Sequence, residues 1–266
     1  MSDTVKLHIE AGIATVTMNR PDQLNAMGTE LLRGLEAATA RIAENDAVQV
    51  IILQGAGQHF AAGGDIKEFE THLHLAPELR YPAYREMIVR WANGTVLNLR
   101  SLPQPVIAKV QGACAGFGMS LALGCDLVIA ADTATFTTAY SQIGVSGDGG
   151  ITWLLPRLVG ERRASELMLL AERLTSTQAR ELGLINRVVA EAELDTATLE
   201  LAHRLQRGAR YAYGRIKHLV NTAWDATLPE QLEAEAEGFA RCTATEDFGE
   251  GVRAFIAKRK PQYRGI

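Results

Sequence analysis

The stretch Pro105 to Asp126, PVIAKVQGACAGFGMSLALGCD, constrains the fold more than any other part of the chain. Val106 to Val110 is an apolar run of the length of a buried strand. Gly112, Gly116 and Gly118 follow among small residues. Met119-Ser120-Leu121-Ala122-Leu123 is then an apolar run with good helix formers, ending at Gly124. The pattern predicts a strand, a tight glycine turn, a buried helix and a new strand from Leu127 to Ala131. Such a turn leaves the first amides of the helix without partners, at the positive end of its dipole. A developing oxyanion or a phosphate can bind there. The alternative is a glycine turn that only lets helix and strand pack closely.

The rest of the chain repeats the strand-then-helix theme. Val5 to Ile9 and Ile13 to Met18 alternate around Ala11-Gly12 and predict a hairpin. Thr29 to Ile42 carries Leu31, Leu32, Leu35, Ala38 and Ile42 on one stripe, an amphipathic helix. Val48 to Leu53 is a buried strand. Phe60-Ala61-Ala62-Gly63-Gly64-Asp65 is a second small-residue turn after a strand, with Asp65 placed to cap a short helix. Glu70 to Arg80 is polar and patternless; His72 and His74 in it have no third metal ligand at sensible spacing, so no metal is expected. Tyr81 to Leu102 predicts one long helix, stopped by Pro103 and Pro105. Short helices are expected over Ile151 to Leu158, Glu161 to Leu170 and Ser176 to Leu182, with a last strand over Ile185 to Val189. Beyond Glu193 the alternation gives way to helices. We therefore expect an α/β core over residues 1–194 and a helical, oligomerising region over 195–266.

At 266 residues and 47% hydrophobic content the chain can bury a sizeable core. A net charge of -4, with Lys258-Arg259-Lys260 as the longest basic tract, argues against nucleic acid as the main partner. Cys114, Cys125 and Cys242 are odd in number and lack metal-ligand spacing, which suits a reducing compartment. No apolar run approaches transmembrane length. The expectation is a soluble, cytoplasmic protein without a membrane partner.

Three segments together carry a resemblance: FAAGGDIKE at 60–68, PVIAKVQGACAGFGMSLALGCD at 105–126 and LLPRLVGERRASELML at 154–169. In this order they resemble the crotonase superfamily, the enoyl-CoA hydratase/isomerase group. The resemblance runs from Asn19-Arg20-Pro21 and Leu24-Asn25-Ala26 to Phe255-Ile256-Ala257-Lys258-Arg259. It implies the spiral ββα superhelix, a C-terminal helical region used in trimers or dimers of trimers, and acyl-CoA thioester substrates. Coenzyme A then enters as part of the substrate, with no other cofactor. It also implies that the N–H groups of Gly64 and Phe117 hold the thioester oxygen as it becomes an enolate. Phe117 departs from the family's usual glycine, and its ring is expected to wall the acyl pocket. Ala62, Asp65, Ile66 and Lys67 fall where the family contacts the CoA adenine and pantetheine. Phe255 and Lys258 resemble C-terminal residues that reach CoA phosphates.

The family's carboxylates decide the reaction. Hydratases of the group place two glutamates at positions occupied here by Ser120 and Tyr140, neither of which is a carboxylate. Asp148, in Ser146-Gly147-Asp148-Gly149-Gly150, is similar to the proton-shuttling aspartate of the acyl-CoA isomerases, above all the epoxyphenylacetyl-CoA isomerase type. Those members often have proline where Gly147 stands. Tyr140 is expected beside the acyl group. The isomerase reading leads. Alternatives are a hydratase, a dehalogenase or hydrolase with Asp148 as nucleophile, a serine enzyme built on Ser120, or an acyl-CoA-binding homologue without activity.

Overall fold

The computed structural model describes residues 3–265. Its frame is a six-stranded sheet in the order β1 (Val5–Glu10), β2 (Ile13–Met18), β3 (Val50–Gly55), β4 (Val106–Val110), β6 (Leu127–Ala131), β9 (Arg187–Val189). The first pair is an antiparallel hairpin, and every later pair is parallel. A second, three-stranded sheet holds β5 (Ala113–Ala115), β7 (Thr135–Thr137) and β8 (Leu174–Thr175).

A strand of the large sheet, a strand-like segment of the small one and then helix recur as a unit, which produces the spiral. In one turn β4 leads to β5 and then α5 (Phe117–Gly124). In the next, β6 leads to β7 and then α6 (Ile151–Val159) and α7 (Glu161–Leu170). The preceding turn has the same form. After β3 the chain passes through 60–64, joined to β5 by the parallel bridge Ala61–Cys114, and then enters α2 (Ile66–Thr71). Parallel strands buried on both faces need continuous apolar runs, and Val50, Ile51, Leu53, Val106, Ile107, Ala108, Ile129, Ala130 and Ala131 are all fully buried. α1 (Thr29–Ala43) adds its Leu31, Leu35, Ala38 and Ile42 stripe to the same core.

The long helix expected from Tyr81 starts earlier and is not uniform. α3 (Pro77–Met87) opens with Pro77 in its first turn, where a missing N–H costs nothing. Residues 88–92 then form a π-turn before α4 (Asn93–Ser101). The expected helix start at Ser176 holds: α8 (Ser176–Glu181) is capped by Thr175 in a reciprocal box with Gln178.

The helical C-terminus comprises α9 (Leu194–Gln206), α10 (Arg210–Thr222), α11 (Leu228–Thr243) and α12 (Glu246–Ile256). α9 packs on β3, β4 and β6, so by contact it belongs with the body and not with the region expected to begin at residue 195. α10 is fastened to the body by Lys217. Its ammonium donates to the carbonyls of Leu99 (2.7 Å) and Gln104 (3.1 Å) and pairs with Asp126 at 2.8 Å. The lysine side chain is only 8% exposed, so its removal strands a carboxylate that burial already pushes upward in pKa. We expect Lys217→Ala to destabilise the protein by about 3–5 kcal/mol, read as a lowered denaturation midpoint.

Candidate active site

Two successive turns of the spiral place a glycine-hinged corner at the same level. The segment 60–64 lies between the Leu24–Met27 loop and β5. On the β5 side, the amide of Ala61 donates to Ala113 and that of Ala115 donates to Ala61; on the other side, Ala62 donates to Leu24. Beyond the Ala61–Cys114 bridge the two segments stay side by side as far as Gly63 and Gly116. The approach is close, since a methyl group on Gly116 would lie 3.2 Å from Gly63 Cα.

The peptide between Gly63 and Gly64 is turned over at this corner. Gly63 has φ 96°, and its carbonyl accepts from Met27 at 2.8 Å. C=O and N–H point in opposite directions in a trans peptide, so the Gly64 N–H faces away from Met27, towards the β5 edge. Across from it, Gly116 adopts φ 52° and ψ -126°, open only to glycine, and starts α5 at Phe117. The Gly116 carbonyl is taken by the Ser120 amide. Among the described residues, no backbone carbonyl accepts the N–H of Gly64 or of Phe117. Two unspent amides, one at a helix N-terminus, therefore stand at adjacent corners, an arrangement suited to an oxyanion.

Asp148 is brought to these corners by the third turn of the spiral. β7 pairs with β5 in the register Ala115–Thr137, and the chain then turns through Ala139, at φ 58°, to Tyr140. The Tyr140 hydroxyl donates to Asp148 Oδ1 at 2.6 Å and lies 2.7 Å from Ser120 Oγ. Ser120 donates to the Asp148 carbonyl at 3.0 Å. The following Gly149 rests on the Phe117 ring, where a methyl group would come within 2.6 Å of Cε2. Asp148 is thus half-buried, with Oδ1 held and no donor among the described residues bonded to Oδ2. Burial pushes its carboxyl above the usual range, and the Tyr140 hydrogen bond opposes that rise in part. Burial and the neighbouring carboxylate together raise the Tyr140 phenol, which stays a donor at neutral pH.

Against this geometry the comparisons with known proteins are direct. The family model for enoyl-CoA hydratase/isomerase matches residues 8–265. The chain belongs to this family, the crotonase superfamily. It is similar to the 1,2-epoxyphenylacetyl-CoA isomerase of Escherichia coli K12, with 38% identity over the full length of both chains. It is also similar to a probable enoyl-CoA hydratase of Rhodobacter capsulatus, at 35% identity over 98% of each chain. Among solved structures, an enoyl-CoA hydratase from Polaromonas sp. JS666 superposes with a TM-score of 0.91 at 35% identity, over 98% of this chain and 99% of that one.

Within this crotonase fold the other expected residues fall in different places. Asp65 caps α2, accepting from the amides of Lys67 and Glu68 through Oδ1, and pairs with Arg20 at 2.7 Å through Oδ2. Burial works against its charge, but the arginine and the two amides outweigh it and hold its carboxyl below the usual range. Both oxygens are thus engaged in shaping the Gly63–Gly64 corner. Ala62 is half-buried, whereas Ile66 and Lys67 are exposed just beyond the corner. Phe255, 86% exposed, lines a cavity of about 380 Å³ built wholly from C-terminal helices and the tail, among them Tyr211, Phe248 and Tyr263. Lys258 follows α12 with φ 52° and closes that helix onto the Phe255 carbonyl. Among the described residues, no hydrogen bond joins either of them to the Gly64–Phe117 corners. Ser120 is fully buried with no histidine among its hydrogen-bond partners, which removes the serine-nucleophile alternative.

Residue-by-residue reading missed two supports. Buried Asn25, at φ 54°, accepts from the Arg20 amide and donates to the carbonyls of Ala56 and His59. Arg20 donates to the Ala26 carbonyl as well as to Asp65. Together they brace the loop that presents Gly64. His72 packs edge-on against Tyr84, which meets Phe69 edge-on in turn, and the Phe69 ring lies over Gly64.

Proposed function

We propose that the protein is an acyl-CoA isomerase in which Asp148 relocates one proton on a thioester. Asp148 Oδ2 removes a proton from the α or γ carbon. The C–H pair moves into the conjugated system, and the charge grows on the thioester oxygen between the N–H groups of Gly64 and Phe117. These donors are fixed before the reaction and meet more negative charge in the transition state than in the ground state, which is where they accelerate it. The protonated Asp148 then returns the hydrogen at the other carbon and the double bond shifts. The raised carboxyl pKa suits a group that must both take and give a proton.

What carries this reading is the pair of positions that hold glutamates in the hydratase pattern. Here they are Ser120 and Tyr140, hydrogen-bonded to each other and to Asp148. Water addition by paired carboxylates therefore has no second carboxylate at this site. The same single aspartate with a free Oδ2 would also serve a displacement of halide from an aromatic acyl-CoA. A panel of straight-chain and aromatic enoyl-CoAs, scored separately for double-bond movement, hydration and halide release, tests all three. Double-bond movement with deuterium incorporation from D2O is the expected result. Hydration or halide release as the dominant activity overturns the proposal.

Helices α10 and α11 and the turn between them leave Ile216, Val220, Trp224, Leu228, Leu232 and Phe239 exposed. This apolar surface suits the trimer or dimer of trimers that the family resemblance implies, and sedimentation velocity checks it.

A further inference from the structure

We infer that Tyr140, backed by Ser120, is a positioning residue that occupies Oδ1 of Asp148 and leaves Oδ2 as the single oxygen that carries the substrate's proton out and back. The inference rests on the isomerase reading above.

The loop backbone fixes the Asp148 carbonyl through the Ile151 amide at 3.2 Å but does not fix its carboxylate. Gly147, Gly149 and Gly150 all have positive φ, at 111°, 59° and 80°. Residues 141–146 are exposed. Backbone bonds close its two ends, Val145 donating to the Tyr140 carbonyl and Ile151 to that of Asp148, but the glycines leave the Asp148 side chain to be fixed by side-chain anchors. Two hydroxyls supply them. Ser120, fully buried on α5, grips the Asp148 carbonyl, and Tyr140, 6% exposed, grips its carboxylate.

The hydrogens can be accounted for. Tyr140 has one proton and gives it to Oδ1, its shortest contact at 2.6 Å. Ser120 has one proton, for the Asp148 carbonyl or for Tyr140 Oη. The phenol remains neutral beside a buried carboxylate. Oδ1 is thus occupied by a proton that stays with Tyr140, and the exchangeable proton belongs to Oδ2. One oxygen doing both transfers keeps removal and return on one face of the substrate.

The surroundings contribute little other charge. Among the described residues, α5 presents Ser120 and Phe117 to the loop, the start of α6 presents Ile151, and α7 presents Met168. Tyr140 is the one titratable group acting on Asp148. Its hydrogen bond favours the ionised form, and removing it leaves burial unopposed.

The test is the pH profile of kcat/KM for Tyr140→Phe, with Ser120→Ala and Asp148→Asn in parallel. A hydrogen bond to a charged group, converted to a proton affinity, corresponds to about one to two pH units. The acid limb of Tyr140→Phe should therefore move up by that amount. The loss of activity should be largest at low pH and shrink as pH rises past the new limb. Ser120→Ala, which leaves Tyr140 in place but unsupported, should shift the limb the same way by less. A Tyr140→Phe or Ser120→Ala enzyme whose limb matches wild type, with or without a uniform loss of rate, overturns the inference. If the phenylalanine variant does not fold, the Ser120→Ala limb decides. Asp148→Asn separates the two levels. An active Asp148→Asn enzyme refutes the isomerase reading itself, whereas an inactive one beside an unshifted Tyr140→Phe limb refutes only the role given to Tyr140.

Discussion

Asp148→Asn should lower kcat by about three to four orders of magnitude, the upper range for loss of a positioned acid–base group. The substitution keeps the shape of the side chain and an oxygen that can accept from Tyr140. The loop should therefore stay in place, and the melting temperature and thioester affinity should change little. The amide cannot take a proton at neutral pH, so exchange of α and γ hydrogens with D2O should stop together with isomerisation. Proton NMR of the acyl group in D2O reads both at once. Exchange at the wild-type rate in the variant would dispose of Asp148 as the proton carrier. Exchange that persists without isomerisation would place a second base near the thioester.

Gly116→Ala should have the second-largest effect, through a different route. The backbone at Gly116 sits at φ 52°, ψ -126°, and a methyl group there faces Gly63 Cα at 3.2 Å. Strain of this kind costs about 1–3 kcal/mol. The chain can relieve it only by moving the corner that aims the Phe117 amide. Losing one oxyanion donor costs about 10²- to 10³-fold in kcat, and we expect a loss of kcat/KM in that range. It should be accompanied by a modest fall in melting temperature and by little change in the acid limb. A variant that is destabilised but fully active would show that the Phe117 N–H contributes nothing to the reaction.

Much of this architecture was legible in the sequence. The hairpin around Ala11-Gly12, β4, α5 and β6 declare themselves because buried parallel strands need unbroken apolar runs and exposed hairpins alternate. β5 was read as part of a glycine turn because Ala113–Ala115 is short, small and flanked by glycines. Its strand character comes from its neighbours, through the Ala61–Cys114 and Thr137 pairings, and a local pattern cannot display that. The π-turn at 88–92 keeps helical periodicity closely enough to vanish into the helix around it. The family resemblance points to the Gly64 and Phe117 amides and to Asp148, whereas the Gly116–Gly63 approach and the Gly149–Phe117 packing around them join residues far apart in sequence. Tyr140 is expected beside the acyl group, and its bond to Asp148 spans eight positions with no periodic signature. The Arg20–Asp65 pair spans 45 positions and was invisible for the same reason.

Phe117 is joined to both halves of the proposed chemistry. Its amide is one of the two candidate oxyanion donors, and its ring is the surface on which Gly149 rests. Trimming that ring in search of room for bulkier thioesters will also remove the seat of the loop that carries Asp148. New substrate scope sought at position 117 should therefore arrive with sloppier stereochemical control, and libraries that pair it with larger residues at 151 or 168 stand a better chance of keeping both.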